Sequence, residues 1–155
     1  MNTYYSRILK KLILKKYTVS IAESCTGGLL SSEFTKIPGI SKIFISGIVC
    51  YSDKSKIEIL NINKSKLKKF GAVSKEIAKE MSLKLFNLTK SNICISTTGI
   101  AGPTGYSKKK PLGLVYISIL TKNKSQIIKK QFNGNRIEIQ KSVVSEVFKN
   151  IEKLI

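Results

Sequence analysis

Four stretches carry residue types that could act on a small polar molecule. The first is "AESCTGG", residues 22–28, which follows the apolar run Thr18-Val19-Ser20-Ile21. A strand that ends in a tight turn and feeds a glycine-led helix would present Ser24 as a nucleophile. Free backbone N–H groups and a positive helix dipole would lie beside it, an arrangement suited to a phosphate or a developing oxyanion. The plainer alternative is that Ser24 or Thr26 only caps the helix. The chain contains no histidine, so every Ser-His-Asp or Cys-His scheme is excluded. A base must then be Lys, Glu, Asp or Tyr, and a lysine serves when desolvation or neighbouring cations lower its pKa.

The second stretch, "YSDKSK", offers such lysines. Tyr51 would end a strand, and Lys54 and Lys56 would lie in the first turns of the next helix, where the dipole disfavours a protonated amine. Spacing does not choose between the two, and both could be ordinary surface lysines. The third is "TTGIAGPTG", residues 97–105, a glycine- and proline-rich loop at a strand end whose backbone can approach a ligand closely. It lacks the spacing of a dinucleotide or P-loop signature. The fourth is Arg136, just after Asn133-Gly134-Asn135 and at a helix start. A cation there is unfavourable unless an anion joins it.

The elements that must position these residues follow from hydrophobic period. Residues 3–16 form an amphipathic helix with Tyr5, Ile8, Leu9, Leu12 and Ile13 on one face. Strands are expected at 18–22, 42–51 and 92–98, and a hairpin from 112–120 and 125–132. Helices are expected at 27–35, 52–60, from the Ser74 cap to about 89, and from Arg136 to the end, with a loop and one helical turn in 61–70. This alternation predicts a three-layer α/β/α domain with a mixed sheet.

Length and composition set the outer limits. The 155 residues suit one domain, and 42% hydrophobic with 24% charged residues is globular rather than disordered. The longest apolar run, Gly113 to Leu120, is too short for a bilayer, and the start lacks a signal-peptide core, which predicts a cytoplasmic protein. Cys25, Cys50 and Cys94 are widely spaced with no CxxC pair, so neither a zinc site nor a disulfide framework is expected. The net charge is +19, yet all of the 28 basic residues except Arg7 and Arg136 are lysine. Sequence-reading proteins lean on arginine, so these lysines read as solvated faces rather than a specific nucleic-acid surface.

Taken together, "AESCTGG", "GIVCYSDKSK", "GAVSKEIAKEM", "TTGIAGPTG", "KPLGLVYISI" and "NGNR" occur in an order that resembles the CinA C-terminal family, the nicotinamide-nucleotide amidases. The resemblance spans roughly residues 5–153. It implies a three-layer α/β/α sandwich with a mixed, mainly parallel sheet, as one domain over 1–155. Longer members carry a further N-terminal domain, for which this chain has no room. It implies conversion of nicotinamide mononucleotide to nicotinic acid mononucleotide and ammonia, a step of pyridine-nucleotide salvage, by a Ser-Lys pair. Carried over, Ser24 is the nucleophile and Lys56, not Lys54, the base, with Tyr51 orienting the lysine or the ring. Cys25, Thr26, Gly27 and Gly28 would line the substrate and oxyanion, and Thr98, Gly99, Ile100, Ala101 and Gly102 would hold the substrate. Arg136 would pair with the 5′-phosphate. No metal or cofactor, no specific nucleic acid and no membrane are implied, and a homodimer is compatible. The chain departs from the family where an acidic residue usually stands at Thr104 and Asn135 and a glycine near Tyr106. Those departures keep a competing reading open, a catalytically inactive nucleotide-binding module of the same fold.

Overall fold

The computed structural model describes residues 2–155. In chain order the elements are α1 (Thr3–Lys15), β1 (Val19–Glu23), α2 (Leu29–Thr35), β2 (Phe44–Val49), α3 (Asp53–Glu58), α4 (Lys64–Phe70), α5 (Lys75–Thr89), β3 (Ile93–Gly99), β4 (Leu114–Thr121), β5 (Ser125–Gln131) and α6 (Arg136–Glu152). A 3-10 turn at Ile40–Lys42 leads into β2.

The five strands form one sheet in the order β2-β1-β3-β4-β5. β1 pairs in parallel with both β2 and β3, while β3–β4 and β4–β5 are antiparallel. Only β4 opposes the others, so the sheet is mixed with four strands running the same way. The three parallel strands β2, β1 and β3 therefore end on one edge, where α/β folds gather their sites.

Strand alternation divides the core in two. Val19 and Ile21 of β1, Ile93 and Ile95 of β3 and Ile117 of β4 pack with Leu9 and Leu12 of α1, Phe34 of α2, and Val147 and Phe148 of α6. Ala22 and Cys94 face the other way, onto Leu67 of α4 and Ile77, Met81 and Leu85 of α5. Both faces of β1 and β3 are thus covered, and every residue of β1 is buried.

Local differences from the sequence reading have local causes. The helix expected from Gly27 begins only at Leu29, because Gly27 and Gly28 hold φ of 59° and 99°. In 61–70 a seven-residue helix forms where one turn was expected; the Asn63 side chain accepts from Lys66 N–H and Leu67 is buried beneath it. Ser74 caps α5 as expected, accepting from Ile77 N–H. No helix among the described residues is long and apolar enough to cross a membrane.

Candidate active site

The turn after β1 is pinned from both sides. Ser24 N–H donates to Thr97 O at 3.0 Å, extending the β1–β3 ladder, and Cys50 N–H donates to Glu23 O at 2.7 Å. Gly27 N–H donates to Ser24 O at 3.1 Å, which closes Ser24-Cys25-Thr26-Gly27 into a β-turn. Ser24 is buried and lies on the wall of a cavity of about 290 Å³.

Glu23 corrects the expectation of a free helix N-terminus. Its carboxylate is fully buried and accepts from Gly28, Leu30 and Ser31 N–H and from the Ser31 hydroxyl at 2.6–3.0 Å. A buried carboxylate requires donors, and the first turn of α2 supplies them. The dipole of α2 therefore faces Glu23, not a substrate. Thr26 and Gly28 do not line the cavity, nor does Gly27. The Thr26 hydroxyl bonds Thr97 Oγ1 at 2.8 Å, the Gly28 N–H is held by Glu23, and the Gly27 N–H is spent on the turn. Cys25 and Thr26 N–H donate to no protein acceptor, and of the two residues only Cys25 lines the cavity. Neither Ser24 nor Thr26 caps α2, whose N-cap Gly28 has no side chain to do so.

Lys56 reaches the turn from α3. Ser52 and Ser55 form a reciprocal capping box that fixes the start of this short helix. Lys54 and Lys56 are two residues apart, a rotation of roughly 200° around the helix, so they face opposite ways. Lys54 is exposed near Glu58, whereas Lys56 is only 1% exposed. Its Nζ lies 3.0 Å from Ser24 Oγ and donates to Cys50 O at 2.9 Å. Burial holds the Lys56 pKa below the ordinary lysine value, against the opposing pull of Asp53. It has no carboxylate partner within ion-pair distance among the described residues. A neutral amine in this position can accept the Ser24 proton while still donating to Cys50 O. The adjacent thiol does not compete as a nucleophile: burial pushes Cys25 up to about 12, so it stays protonated near neutrality.

At the far side of the cavity stands Arg136, the first residue of α6. Its Nη1 donates to Gly102 O at 2.6 Å and its Nη2 to the Tyr51 hydroxyl. Gly102 holds φ of 80°, a left-handed conformation that favours glycine, and its carbonyl faces Arg136. Both acceptors are neutral, which leaves the guanidinium charge uncompensated and further N–H groups free for an anion. Asn135 caps α6 by accepting from Ile137 and Glu138 N–H, the task an aspartate would perform. Tyr51 lines the cavity but is 57% exposed, and its hydroxyl accepts from Arg136 with no bond to Lys56; of its two expected roles, the one toward the lysine has no contact behind it and the one toward the ring stays open.

Of the expected residues, Ser24, Cys25, Tyr51, Lys56, Thr98, Gly99, Ile100, Ala101, Gly102 and Arg136 share this one cavity. Thr104 and Gly105 of the glycine- and proline-rich loop complete its wall together with Ala72 and Val73, to which the sequence reading gave no role in the site. Ala72 is held there because the Thr98 hydroxyl donates to its carbonyl at 2.8 Å. No group of His, Cys, Asp and Glu among the described residues could hold a metal.

The sequence profile of the CinA C-terminal domain matches residues 1–155. A CinA-like protein of Fusobacterium nucleatum is 46% identical over 141 residues, covering 91% of this chain and 34% of that protein. A CinA-like protein of Endomicrobium trichonymphae is 46% identical over 145 residues, covering 93% of this chain and 34% of that protein. The chain thus spans about a third of these relatives' length. The crystal structure of the competence/damage inducible protein CihA from Agrobacterium tumefaciens superposes with a TM-score of 0.94 at 32% identity, covering 98% of this chain and 93% of that one.

Proposed function

The chain belongs to the CinA C-terminal domain family, and from that premise we propose that it is a serine-lysine amidohydrolase that deamidates nicotinamide mononucleotide. The observation that carries the reading is the 3.0 Å approach of a 1%-exposed lysine amine to Ser24 Oγ inside a cavity that also holds an unpaired arginine. The choice of substrate rests on the family resemblance.

The geometry suggests how the reaction would run. Arg136 takes the 5′-phosphate, which sets the pyridine carboxamide toward Ser24. Ser24 Oγ attacks the amide carbon and its proton passes to Lys56 Nζ. Cys25 N–H, free on the cavity wall, stabilises the oxyanion. When the C–N bond breaks, protonated Lys56 gives its proton to the departing nitrogen, and ammonia leaves. Water then attacks the Ser24 ester with Lys56 again as base, releasing nicotinic acid mononucleotide and the free hydroxyl.

The test is ammonia release from nicotinamide mononucleotide by the purified chain, with free nicotinamide and the Ser24→Ala protein as comparisons. The reading expects turnover of the nucleotide only, abolished by the substitution. A wild-type protein that binds the nucleotide without releasing ammonia would instead favour the noncatalytic binding module.

A further inference from the structure

The β-turn Ser24-Cys25-Thr26-Gly27 is closed by Gly27 N–H to Ser24 O, and its middle carbonyl belongs to Cys25, the residue after the nucleophile. Reversing the middle peptide would need positive φ at Thr26, which a β-branched residue resists, so the turn keeps its own shape. What the turn does not set by itself is where it sits: Ser24 and Cys25 both line the cavity, and the Cys25 N–H has no protein acceptor. An oxyanion donor is useful only as far as the turn that carries it is held in place.

One side chain from outside the turn holds it. Gln140 Nε2 donates to Cys25 O at 2.9 Å, across 115 residues of sequence. Gln140 lies one turn beyond Arg136 on α6, so the two project from the same face of that helix. It does not line the cavity and touches no reacting atom. No other hydrogen bond among the described residues reaches the Cys25 carbonyl.

We propose that Gln140 is a positioning residue: by anchoring the Cys25 carbonyl to α6 it fixes the turn that carries Ser24 and the Cys25 N–H. α6 then serves the site twice, through Arg136 for the anion and through Gln140 for the turn. The inference rests on the serine-lysine reading above and extends it to how the nucleophile and its oxyanion donor are held.

The test uses Gln140→Met, which keeps the length of the side chain without its donor, and Gln140→Glu, which sets a carboxylate against the carbonyl. Two readouts are taken on the full chain. One is kcat and KM for nicotinamide mononucleotide. The other is the rate at which a fluorophosphonate labels Ser24, followed by mass spectrometry. In the labelling step the Ser24 O–P bond forms, fluoride leaves and the proton goes to Lys56, so it depends on the same turn but on no nucleotide. Both kcat and the labelling rate should fall by about a hundredfold in Gln140→Met and further in Gln140→Glu, with KM and the melting temperature little changed. Gln140→Arg, which restores a donor, should recover part of the loss. Labelling and kcat at wild-type levels in Gln140→Met would overturn the inference, as would a loss that tracks the melting temperature. A wild-type chain that labels at Ser24 but releases no ammonia would sink the substrate reading while the labelling rates still judge Gln140. A wild-type chain that does not label would remove both.

Discussion

Two buried polar contacts of this molecule look alike and work in opposite ways. In the middle of the sheet, Ser82 Oγ of α5 and Ser118 Oγ of β4 lie 2.7 Å apart, and Ser82 also donates to Lys79 O. At the edge where the parallel strands end, Ser24 Oγ and Lys56 Nζ lie 3.0 Å apart. The first contact joins two neutral hydroxyls that satisfy one another, and nothing in it changes near neutral pH. The second buries an ionisable amine with no carboxylate to compensate it. The fold bears an unfavourable burial there, and the result is an amine suited to take a proton. Polar burial in the interior of the sheet pairs neutral groups; at this strand end it leaves an amine whose proton is held less tightly.

The largest effect that tests this contrast is on activity. Ser24→Ala and Lys56→Ala should each lower ammonia release by more than about a thousandfold, and the double variant by little more than either alone, since the two act as a unit. Two large losses that multiplied would mean that the two side chains work separately. Arg136→Ala comes next. It should raise KM by roughly thirty- to a hundredfold through the loss of charge-assisted bonds to the phosphate, with a smaller fall in kcat. An unchanged KM would detach Arg136 from the substrate.

Lys56→Met separates stability from activity. It removes the buried amine and should raise the melting temperature while abolishing turnover, by about 2–4 °C for each kcal/mol recovered. The pH dependence has a defined sign. Burial lowers the Lys56 pKa from the ordinary 10.5, so between the lowered value and 10.5 the unfolded chain holds more protons and stability rises with pH across that window. Activity should likewise rise with pH through the lowered value, as the neutral base is populated. Thermal melts and kcat/KM profiles of wild type and Lys56→Met check both; the stability slope in that window should flatten in the variant.

The smallest effect is on the other side of the comparison. Ser82→Ala leaves Ser118 without its side-chain partner and should cost about 1–3 kcal/mol, whereas the Ser82→Ala, Ser118→Ala pair should come back toward wild type. Activity should be unaffected in both, and a loss of turnover at matched stability would erase the distinction between the two regions.

Much of this arrangement is written in short-range patterns. The apolar faces of α1, α5 and α6 repeat at helical spacing, and the polar turn at Thr121 to Lys124 marks the β4–β5 hairpin. The absence of histidine narrows the base, and the resemblance selects Lys56 over Lys54, which face opposite ways around α3. What the sequence hides is pairing at a distance. Glu23 reads as one more acidic residue until β1 buries it and α2 must supply its donors. Gln140 carries no local mark, because its partner is a carbonyl 115 residues away. Tyr51 sits at the expected strand end, but its hydroxyl turns to Arg136, whose position depends on how α6 meets the glycine loop. Spacing along the chain specifies elements; it does not specify which elements meet.

The most direct measurement of the central claim is to quench the wild-type protein with acid during turnover of nicotinamide mononucleotide and map the acylated peptide by mass spectrometry. The account predicts the acyl group as an ester on Ser24, with no adduct and no turnover in Ser24→Ala. An acyl group found on Cys25, or ammonia release that persists in Ser24→Ala, would contradict it.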